Sequence, residues 1–228
     1  WFHAHPELSW EEFGTTDHIQ EELEKMGLEV HRFEGRPGCT AMIYGGKAVP
    51  GAKTVALRAD IDALPVEEKT GLPFASENPG VMHACGHDNH MAMLLGAAKL
   101  LMDNKEKVKG RVKFMFQPGE EGYNGCKNMI ADGLLESPHV DVAFGMHSAS
   151  ASDYRTGTVL YSTGSYAASA DAFKVTVHGK GCHGARPEEG IDPINIITHI
   201  HLALQTINSR ERNQKEPLIL TIGQIIAG

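Results

Sequence analysis

Cysteine is scarce in this chain of 228 residues, which contains four cysteines at widely separated positions. They are Cys39, Cys85, Cys126 and Cys182. This scatter does not form the closely spaced framework of a small secreted domain held by disulfides, so we expect a reducing cytoplasm. Cys126 has no partner of metal-ligand spacing nearby, and we expect it to be a small buried side chain.

The chain also lacks an excess of positive charge and a long apolar run. Its 21 Lys and Arg residues face 29 Asp and Glu residues, which gives a formal net charge of −8. This balance argues against nucleic acid or an anionic membrane as a partner. We find no apolar run long enough to span a bilayer and no pattern of a secretory signal. The chain starts at Trp1, without a methionine, and stops at Gly228 directly after a strand-like run. We therefore expect it to be a piece of a longer protein.

One short stretch concentrates the side chains that bind transition metals. Residues 83–90 read His-Ala-Cys-Gly-His-Asp-Asn-His, and an apolar pattern of helical period follows them to about residue 104. Thiolate, imidazole and carboxylate groups are ligands of zinc and related ions. Gly86 allows a tight turn, so Cys85 and His87 can face one ion. The stretch therefore predicts one wall of a metal site.

The surrounding pattern predicts an α/β fold with a mixed, largely parallel sheet and helices on both faces. Strand-like segments lie at 28–33, 40–44, 54–59, 112–116 and 140–146, with 112–116 as a central strand and 140–146 as a buried one. A helix is expected to begin with Ser9 as N-cap and to end near Gly27.

Acidic residues follow two of these strands directly. Asp60 and Asp62 come after segment 54–59, where alternate side chains share a face of the sheet. They either lie in a solvated turn or orient ligands, and we favour an orienting role for Asp62. Glu120 and Glu121 follow segment 112–116 between glycines, so one carboxylate can bind metal while the other handles protons.

A histidine ends the next strand-like segment. A lone histidine at a strand end is usually structural, but His147 is the third polar group placed at one edge of the same sheet. We therefore expect it to join the residues of the metal site.

The second part of the chain predicts a smaller domain. We place the boundary between residues 166 and 167, within the small and polar stretch 163–170, so that 1–166 hold the candidate metal site and 167–228 begin a smaller α+β domain. Strands are expected at 172–177 and 218–226, and a helix at 191–207. The glycine-rich loop 179–187 carries His183 and Arg186, and it is either a plain connection or a tip that reaches an active site.

The order of these motifs resembles a known family, the dinuclear metallo-amidohydrolases related to aminoacylases and zinc carboxypeptidases. The similar branch holds hippurate hydrolase, indole-acetyl-amino-acid hydrolases and N-acyl-diaminopimelate deacetylases. The motifs are His-Pro-Glu-Leu-Ser at 5–9, Leu-Arg-Ala-Asp-Ile-Asp-Ala-Leu-Pro at 57–65, the stretch at 83–88, Phe-Gln-Pro-Gly-Glu-Glu at 116–121, Gly-Met-His at 145–147 and Gly-Ala-Arg-Pro at 184–187.

The resemblance implies a role for each candidate residue. Cys85, His87, Glu121 and His147 would be metal ligands, and Glu120 would be the general base that activates a metal-bridged water. His183 would stabilise the oxyanion in the site of a partner subunit, within a homodimer formed through the inserted domain. The family carries a further histidine ligand near its C-terminus, which this chain lacks.

The implied reaction is hydrolysis of the amide bond of a small N-acyl amino acid, or of a similar peptide-like amide, with two divalent ions per subunit. The ligand set suits zinc, manganese, cobalt or nickel, and it does not select among them. A rival enzyme hypothesis makes Cys85 the nucleophile and His87 its base, but it leaves Glu120, Glu121 and His147 unexplained. A rival of another class is a non-catalytic metal-binding or assembly module, because the last ligand is absent.

Overall fold

The computed structural model describes residues 1–122, 124–149, 154–164, 171–213, 215 and 218–227. The chain divides into two compact units, Trp1–Asp153 and Tyr154–Gly228. The boundary predicted between residues 166 and 167 falls within 165–170, outside the described residues, and it stays a prediction.

The first unit is built on a five-stranded mixed sheet with the strand order β1-β2-β4-β3-β5. The strands are β1 (Val30–Arg32), β2 (Cys39–Tyr44), β3 (Thr54–Asp60), β4 (Arg111–Gln117) and β5 (Val142–Gly145). β2 pairs antiparallel with β1 and β4, whereas β3 pairs parallel with β4 and β5. The five strands predicted in this part of the sequence form with slightly shifted ends, and β4 is central as expected.

Helices cover both faces of this sheet, which confirms the predicted α/β class. They are α1 (Phe13–Lys25), α2 (His87–Asp103) and α3 (Gly125–Ala131). Because successive strand residues point to opposite faces, β4 supplies both cores. Phe114 and Phe116 pack in the core that holds the buried side chains of α1 and α2, and Met115 packs on the other face with Met129 of α3.

The start of α1 differs from the prediction. Glu12 occupies the N-cap position instead of Ser9. The backbone of Trp10 adopts φ +69°, which turns the chain before the helix begins. Ser9 Oγ therefore donates to Asp62 Oδ2 at 2.7 Å. Glu7 Oε2 instead accepts a hydrogen bond, at 2.7 Å, from the backbone amide of Thr15 in the first turn of the helix.

Strand β5 and Cys126 were predicted to be buried, but both are exposed. All four residues of β5 are exposed, and Phe144 has 59% of its surface accessible. β5 is an edge strand of the sheet, and within the described part of the first unit its outer side has no pairing strand. Cys126 is likewise exposed, because it lies on the outer side of the short helix α3.

The second unit contains the predicted helix, α4 (Pro193–Thr206), which continues as a π-helical turn over Ile207–Glu211. Asp192 caps it, since Asp192 Oδ1 accepts from the amide of Ile194 at 2.9 Å. The strands predicted at 172–177 and 218–226 are absent from the described residues of this unit. Alternation of apolar side chains was insufficient there because a strand also needs a pairing partner, and Ile219 stays 88% exposed. Among the described residues, no helix is both long and apolar enough to cross a membrane.

Candidate metal centre

The candidate site lies where three parallel strands end. β3, β4 and β5 run in the same direction, so their carboxyl ends meet at one edge of the sheet. Asp62, the pair Glu120 and Glu121, and His147 follow these strand ends in the chain. The helix α2 begins at the same place with His87. Distant segments are thus brought together by the direction of the strands.

His87 lies at the centre of this cluster and is fully buried. Its Nδ1 donates to the backbone oxygen of Asp62 at 2.8 Å, so in the neutral imidazole Nε2 is the nitrogen without a proton. Nε2 faces Glu121 Oε1 at 3.7 Å and Asp60 Oδ2 at 3.5 Å. Burial lowers the pKa of His87, but the hydrogen bond to Asp62 and the charge of Asp60 outweigh it and raise the pKa, so this nitrogen lies where a positive charge is favoured.

His147 is oriented in the same manner. Its Nδ1 donates to the backbone oxygen of Ser148 at 2.7 Å. Its Nε2 lies 3.3 Å from Cys85 Sγ. Both predicted imidazole ligands thus use Nδ1 to bind a backbone carbonyl, and this fixes the tautomer that leaves Nε2 for a cation.

The predicted ligands come together in two groups that share His87. Cys85, His87 and His147 each offer one donor atom within 4.8 Å of the others, and so do His87, Glu120 and Glu121. The structure therefore brings Cys85, His87, Glu121 and His147 together beside Glu120. Their roles as ligands and base stay predictions.

His183 belongs to the second unit. It is exposed, and its Nδ1 accepts from the amide of Ala185 at 3.1 Å. Its predicted role at the oxyanion also stays a prediction.

Unpaired polar atoms show that the cluster suits a cation. Among the described residues, His87 Nε2 and Glu121 Oε1 are buried without a hydrogen-bond partner. The 3.7 Å between His87 Nε2 and Glu121 Oε1 is too long for a hydrogen bond. Leaving such atoms unpaired costs about 1–3 kcal/mol each, and a divalent cation between them would remove that cost. The donor set of thiol, imidazole and carboxylate fits the ions named above.

A third possible group, formed by Asp60, His87 and His90, fits a metal less well. His90 Nδ1 donates to Asp60 Oδ1 at 2.5 Å, and Nε2 accepts from the amide of Ser148 at 2.8 Å. Both ring nitrogens of His90 are thus engaged. Sequence reasoning gave His90 no role, although its position three residues after His87 places both on one face of α2. Through Ser148, His90 supports the backbone next to His147.

Comparison with known proteins agrees with this geometry. The family model described as Peptidase family M20/M25/M40 matches residues 56–217. The chain belongs to this family. The resemblance drawn from the sequence motifs is therefore confirmed.

Two relatives and one solved structure illustrate the family. The M20-family chain is 46% identical over 226 residues to N-acetyl-L-cysteine deacetylase of Bacillus subtilis, covering 99% of this chain and 53% of that protein. It is also 46% identical over 228 residues to Thermostable carboxypeptidase 1 of Saccharolobus solfataricus, with coverages of 99% and 56%. A Bacillus subtilis crystal structure, described as a dinuclear metal binding peptidase from the M20 family, matches 65% of this chain and 40% of its own with 43% identity and a TM-score of 0.61. The chain spans about half the length of the curated relatives that it matches.

In this M20-family chain, Asp62 connects the two groups of candidate ligands. Its backbone oxygen orients His87, and its Oδ2 accepts from the amide of Glu121 at 3.0 Å. Burial alone would raise the pKa of Asp62, but the hydrogen bonds from His87, Glu121 and Ser9 outweigh it and lower the pKa. Asp62 is therefore ionised, with the geometry expected for an orienting residue.

Asp60 has a similar electrostatic balance. Burial raises its pKa, but the hydrogen bond from His90 and the charge of Arg58 together lower the pKa to about 2. Arg58 Nη1 donates to Asp60 Oδ2 at 2.6 Å. This ion pair and His90 keep a negative charge next to the candidate metal centre.

Two further groups of the site, Glu120 and Cys85, have raised pKa values. Desolvation raises the pKa of Glu120, and the charge of Glu121 raises it further, so Glu120 is a better proton acceptor than an ordinary carboxylate. Burial, followed by contact with Glu121, raises the pKa of Cys85 to about 12. In the absence of a bound cation, a thiol with this pKa is a poor nucleophile near neutral pH.

Proposed function

We propose that the protein carrying this chain hydrolyses the amide bond of N-acyl amino acids with divalent metal ions bound at this strand edge. The observation that carries the proposal is the buried, unpaired Nε2 of His87, which two groups of candidate ligands share. The names of the relatives, a deacetylase of N-acetyl-L-cysteine and a carboxypeptidase, support cleavage of an amide next to an amino acid.

Each residue near His87 has a distinct task in this proposal. Cys85, His87, Glu121 and His147 hold two ions per subunit. When bound, these ions supply a Lewis acid and lower the pKa of a water towards neutrality. Glu120 then takes a proton from the attacking water on its carboxylate and returns it to the leaving amine.

The second unit completes the site in this proposal. His183 of one subunit stabilises the oxyanion in the site of a second copy, within a homodimer formed through the inserted domain. Arg186, three residues further along, binds the carboxylate of the amino acid that is released. We place the enzyme in the cytoplasm, in line with its scattered cysteines.

A metal titration combined with a substrate panel tests the proposal. Calorimetry with zinc, manganese, cobalt and nickel should show binding, and the His147→Ala variant should bind at least about tenfold more weakly because one ligand is lost. Hydrolysis of N-acetyl, N-benzoyl and N-indoleacetyl amino acids identifies the acyl group. Unchanged metal affinity in the variant would remove His147 from the ligands.

A second candidate is a metal-binding or assembly module without activity. The chain spans about half the length of its relatives, and the family resemblance implies a further histidine ligand near the C-terminus. Metal binding with no turnover of any amide in the panel, by this chain and by a longer form of the protein alike, would favour the module.

A further inference from the structure

Glu12 is a buried carboxylic acid outside the proposed ligand set. Its side chain is fully inaccessible to solvent. Glutamate is rarely buried without a specific partner, because desolvating a carboxyl group is costly. Its Oε1 accepts from the amide of Gly119 at 2.8 Å, although the two residues are 107 positions apart in the sequence.

A helix cap is the ordinary role for an acidic residue at this position, and Glu12 does not perform it. Glu12 stands at the N-cap of α1, yet its side chain makes no capping hydrogen bond there. Among the described residues, its Oε2 is buried without a partner. The carboxyl group thus bears a desolvation cost, and its hydrogen bond to Gly119 connects it to the loop that carries Glu120.

Gly119 directly precedes Glu120, and its peptide is held on both sides. Glu12 accepts from its amide, and its carbonyl accepts from the amide of Gly125 at 3.1 Å. On the other side of Glu120, Asp62 accepts from the amide of Glu121 at 3.0 Å. The backbone on each side of Glu120 is therefore held by a buried carboxylate.

Trp10 packs against the same glycine. Gly119 has φ +58°, and a Cβ placed on it would lie 3.1 Å from the indole atoms Cε2 and Nε1 of Trp10. Trp10 itself adopts φ +69°, a conformation that is uncommon for a large side chain. Ser9, beside it, donates to Asp62. The segment 9–12 thus contains Glu12, which binds the Gly119 amide, and Ser9, which binds Asp62. Both carboxylates that hold the backbone beside Glu120 are therefore connected to this segment.

We propose that Glu12 is a positioning residue, which holds Glu120 and Glu121 at the metal site by binding the Gly119 amide. The roles of Glu120 and Glu121 in this inference rest on the proposed function. The hydrogen bond between Glu12 and Gly119 itself does not depend on that function.

Three substitutions separate the hydrogen bond from packing and charge. Glu12→Gln keeps an acceptor of the same length and removes the charge. Glu12→Leu keeps a similar volume without an acceptor, and Glu12→Asp keeps the carboxylate but is one methylene too short. The first readout is hydrogen exchange of the Gly119 amide by NMR, with the Ile61 amide, which donates to Gln117 at 3.0 Å, as an internal reference.

Glu12→Leu and Glu12→Asp should speed exchange at Gly119 by at least about tenfold and leave Ile61 unchanged, whereas Glu12→Gln stays close to wild type. Manganese affinity, measured by calorimetry, should fall about tenfold in the same two variants and recover in Glu12→Gln. If the Leu variant does not fold, the Asp variant decides the outcome.

Wild-type exchange and metal affinity in the Asp variant would overturn the inference, and so would a Gln variant as damaged as the Asp variant. Failure of a longer form of the protein to bind metal or hydrolyse amides would instead contradict the proposed function. Because Gly119 exchange needs neither metal nor substrate, the two failures are distinguishable.

Discussion

Glu120 and Glu121 are neighbours in the chain with different surroundings. Glu121 Oε1 is buried and lies 3.7 Å from His87 Nε2, whereas Glu120 is exposed to solvent. This difference allows one carboxylate to hold a cation while the other exchanges protons with substrate and water.

The Glu120→Gln variant should therefore lose activity and keep its metal. An amide cannot accept the proton of the attacking water, so we expect turnover of the best N-acyl amino acid to fall by about 10²–10⁴-fold. Elemental analysis should show wild-type metal content. Glu29→Gln, at an exposed position, is the matched control and should behave as wild type. Turnover by Glu120→Gln at the wild-type rate would exclude Glu120 as the base.

Glu12 makes a second prediction at the scale of one residue, through the pH dependence of stability. Burial, only partly offset by the Gly119 amide, raises the pKa of Glu12 from 4.5 to about 7. The unfolded chain therefore loses this proton at lower pH than the folded chain does. The contribution of Glu12 to stability is complete below about pH 4.5 and is lost as the pH rises towards 7.

Glu12→Gln has no proton to lose, so its stability relative to wild type should increase across this pH interval. The raised pKa of Glu12 corresponds to a change of roughly 3 kcal/mol at most in the free energy of unfolding. Urea unfolding of variant and wild type at matched pH values measures the difference, in which the opposite effects of Asp60 and Asp62 cancel. A difference that does not change with pH would show that the carboxyl of Glu12 titrates normally.

At the scale of elements, the junction between the loop and α2 determines where His87 points. Gly86 is the N-cap of α2 and adopts φ +83°, a conformation that L-residues with a Cβ rarely take. A Cβ on Gly86 would also collide with Ser148 Oγ, whose residue adjoins His147. The glycine therefore allows the two histidine-bearing segments to approach each other.

The Gly86→Ala variant should lower both stability and metal affinity. We expect a loss of about 1–2 kcal/mol in the free energy of unfolding from the backbone conformation alone. Gly96→Ala is the matched control, because Gly96 lies inside α2 and an added Cβ there meets nothing within 4 Å. It should be neutral or stabilise by up to about 1 kcal/mol. Equal effects of the two substitutions in urea unfolding would contradict the proposed role of Gly86.

Strand β4 shows how one element connects the core to the site. Its buried Phe114 and Phe116 pack on the face of the sheet that α1 and α2 cover, and Met115 packs on the opposite face with Met129 of α3. Gln117, at its end, accepts at its backbone oxygen from the amide of Ile61, which lies between Asp60 and Asp62. Packing in the core fixes the position of β4, and the hydrogen bond between Ile61 and Gln117 fixes the end of β3 next to it. Together they determine where the acidic residues after both strands lie.

At the scale of the whole molecule, the proposed dimer can be tested by subunit mixing. A His183→Ala subunit lacks the oxyanion donor, and a Glu120→Gln subunit lacks the base, so each homodimer should be inactive. If His183 acts in the site of the other subunit, mixed dimers contain one complete site. We then expect mixing to restore part of the wild-type turnover, at most about half in a heterodimer, with removal of one oxyanion donor costing about 10²–10³-fold.

Sedimentation velocity of both variants should show dimers before and after mixing, which is the control for assembly. No recovery in a confirmed heterodimer would place His183 in its own subunit or outside the reaction. Recovery would extend the site beyond the residues of a single chain.

Much of the first unit could be predicted from local pattern. The five strands and the helix after residue 87 follow from apolar periodicity, since burial in a core repeats with the geometry of the element. The family resemblance implied the candidate ligands Cys85, His87, Glu121 and His147. Glu121 and His147 follow strand ends, whereas Cys85 and His87 lie at the start of α2. The predicted strand 218–226 failed for a related reason, because an alternating pattern does not reveal whether a pairing strand is present.

The sequence by itself determined which donor groups the molecule has and which strand ends carry them. Parallel strands deliver whatever follows them to one edge, so the order of motifs was sufficient for that inference. Only the tertiary structure decided that His87 Nε2 is unpaired, that both nitrogens of His90 are engaged and that Glu12 reaches Gly119. These properties depend on hydrogen bonds between residues far apart in the chain, and no local pattern of side chains encodes such a partner.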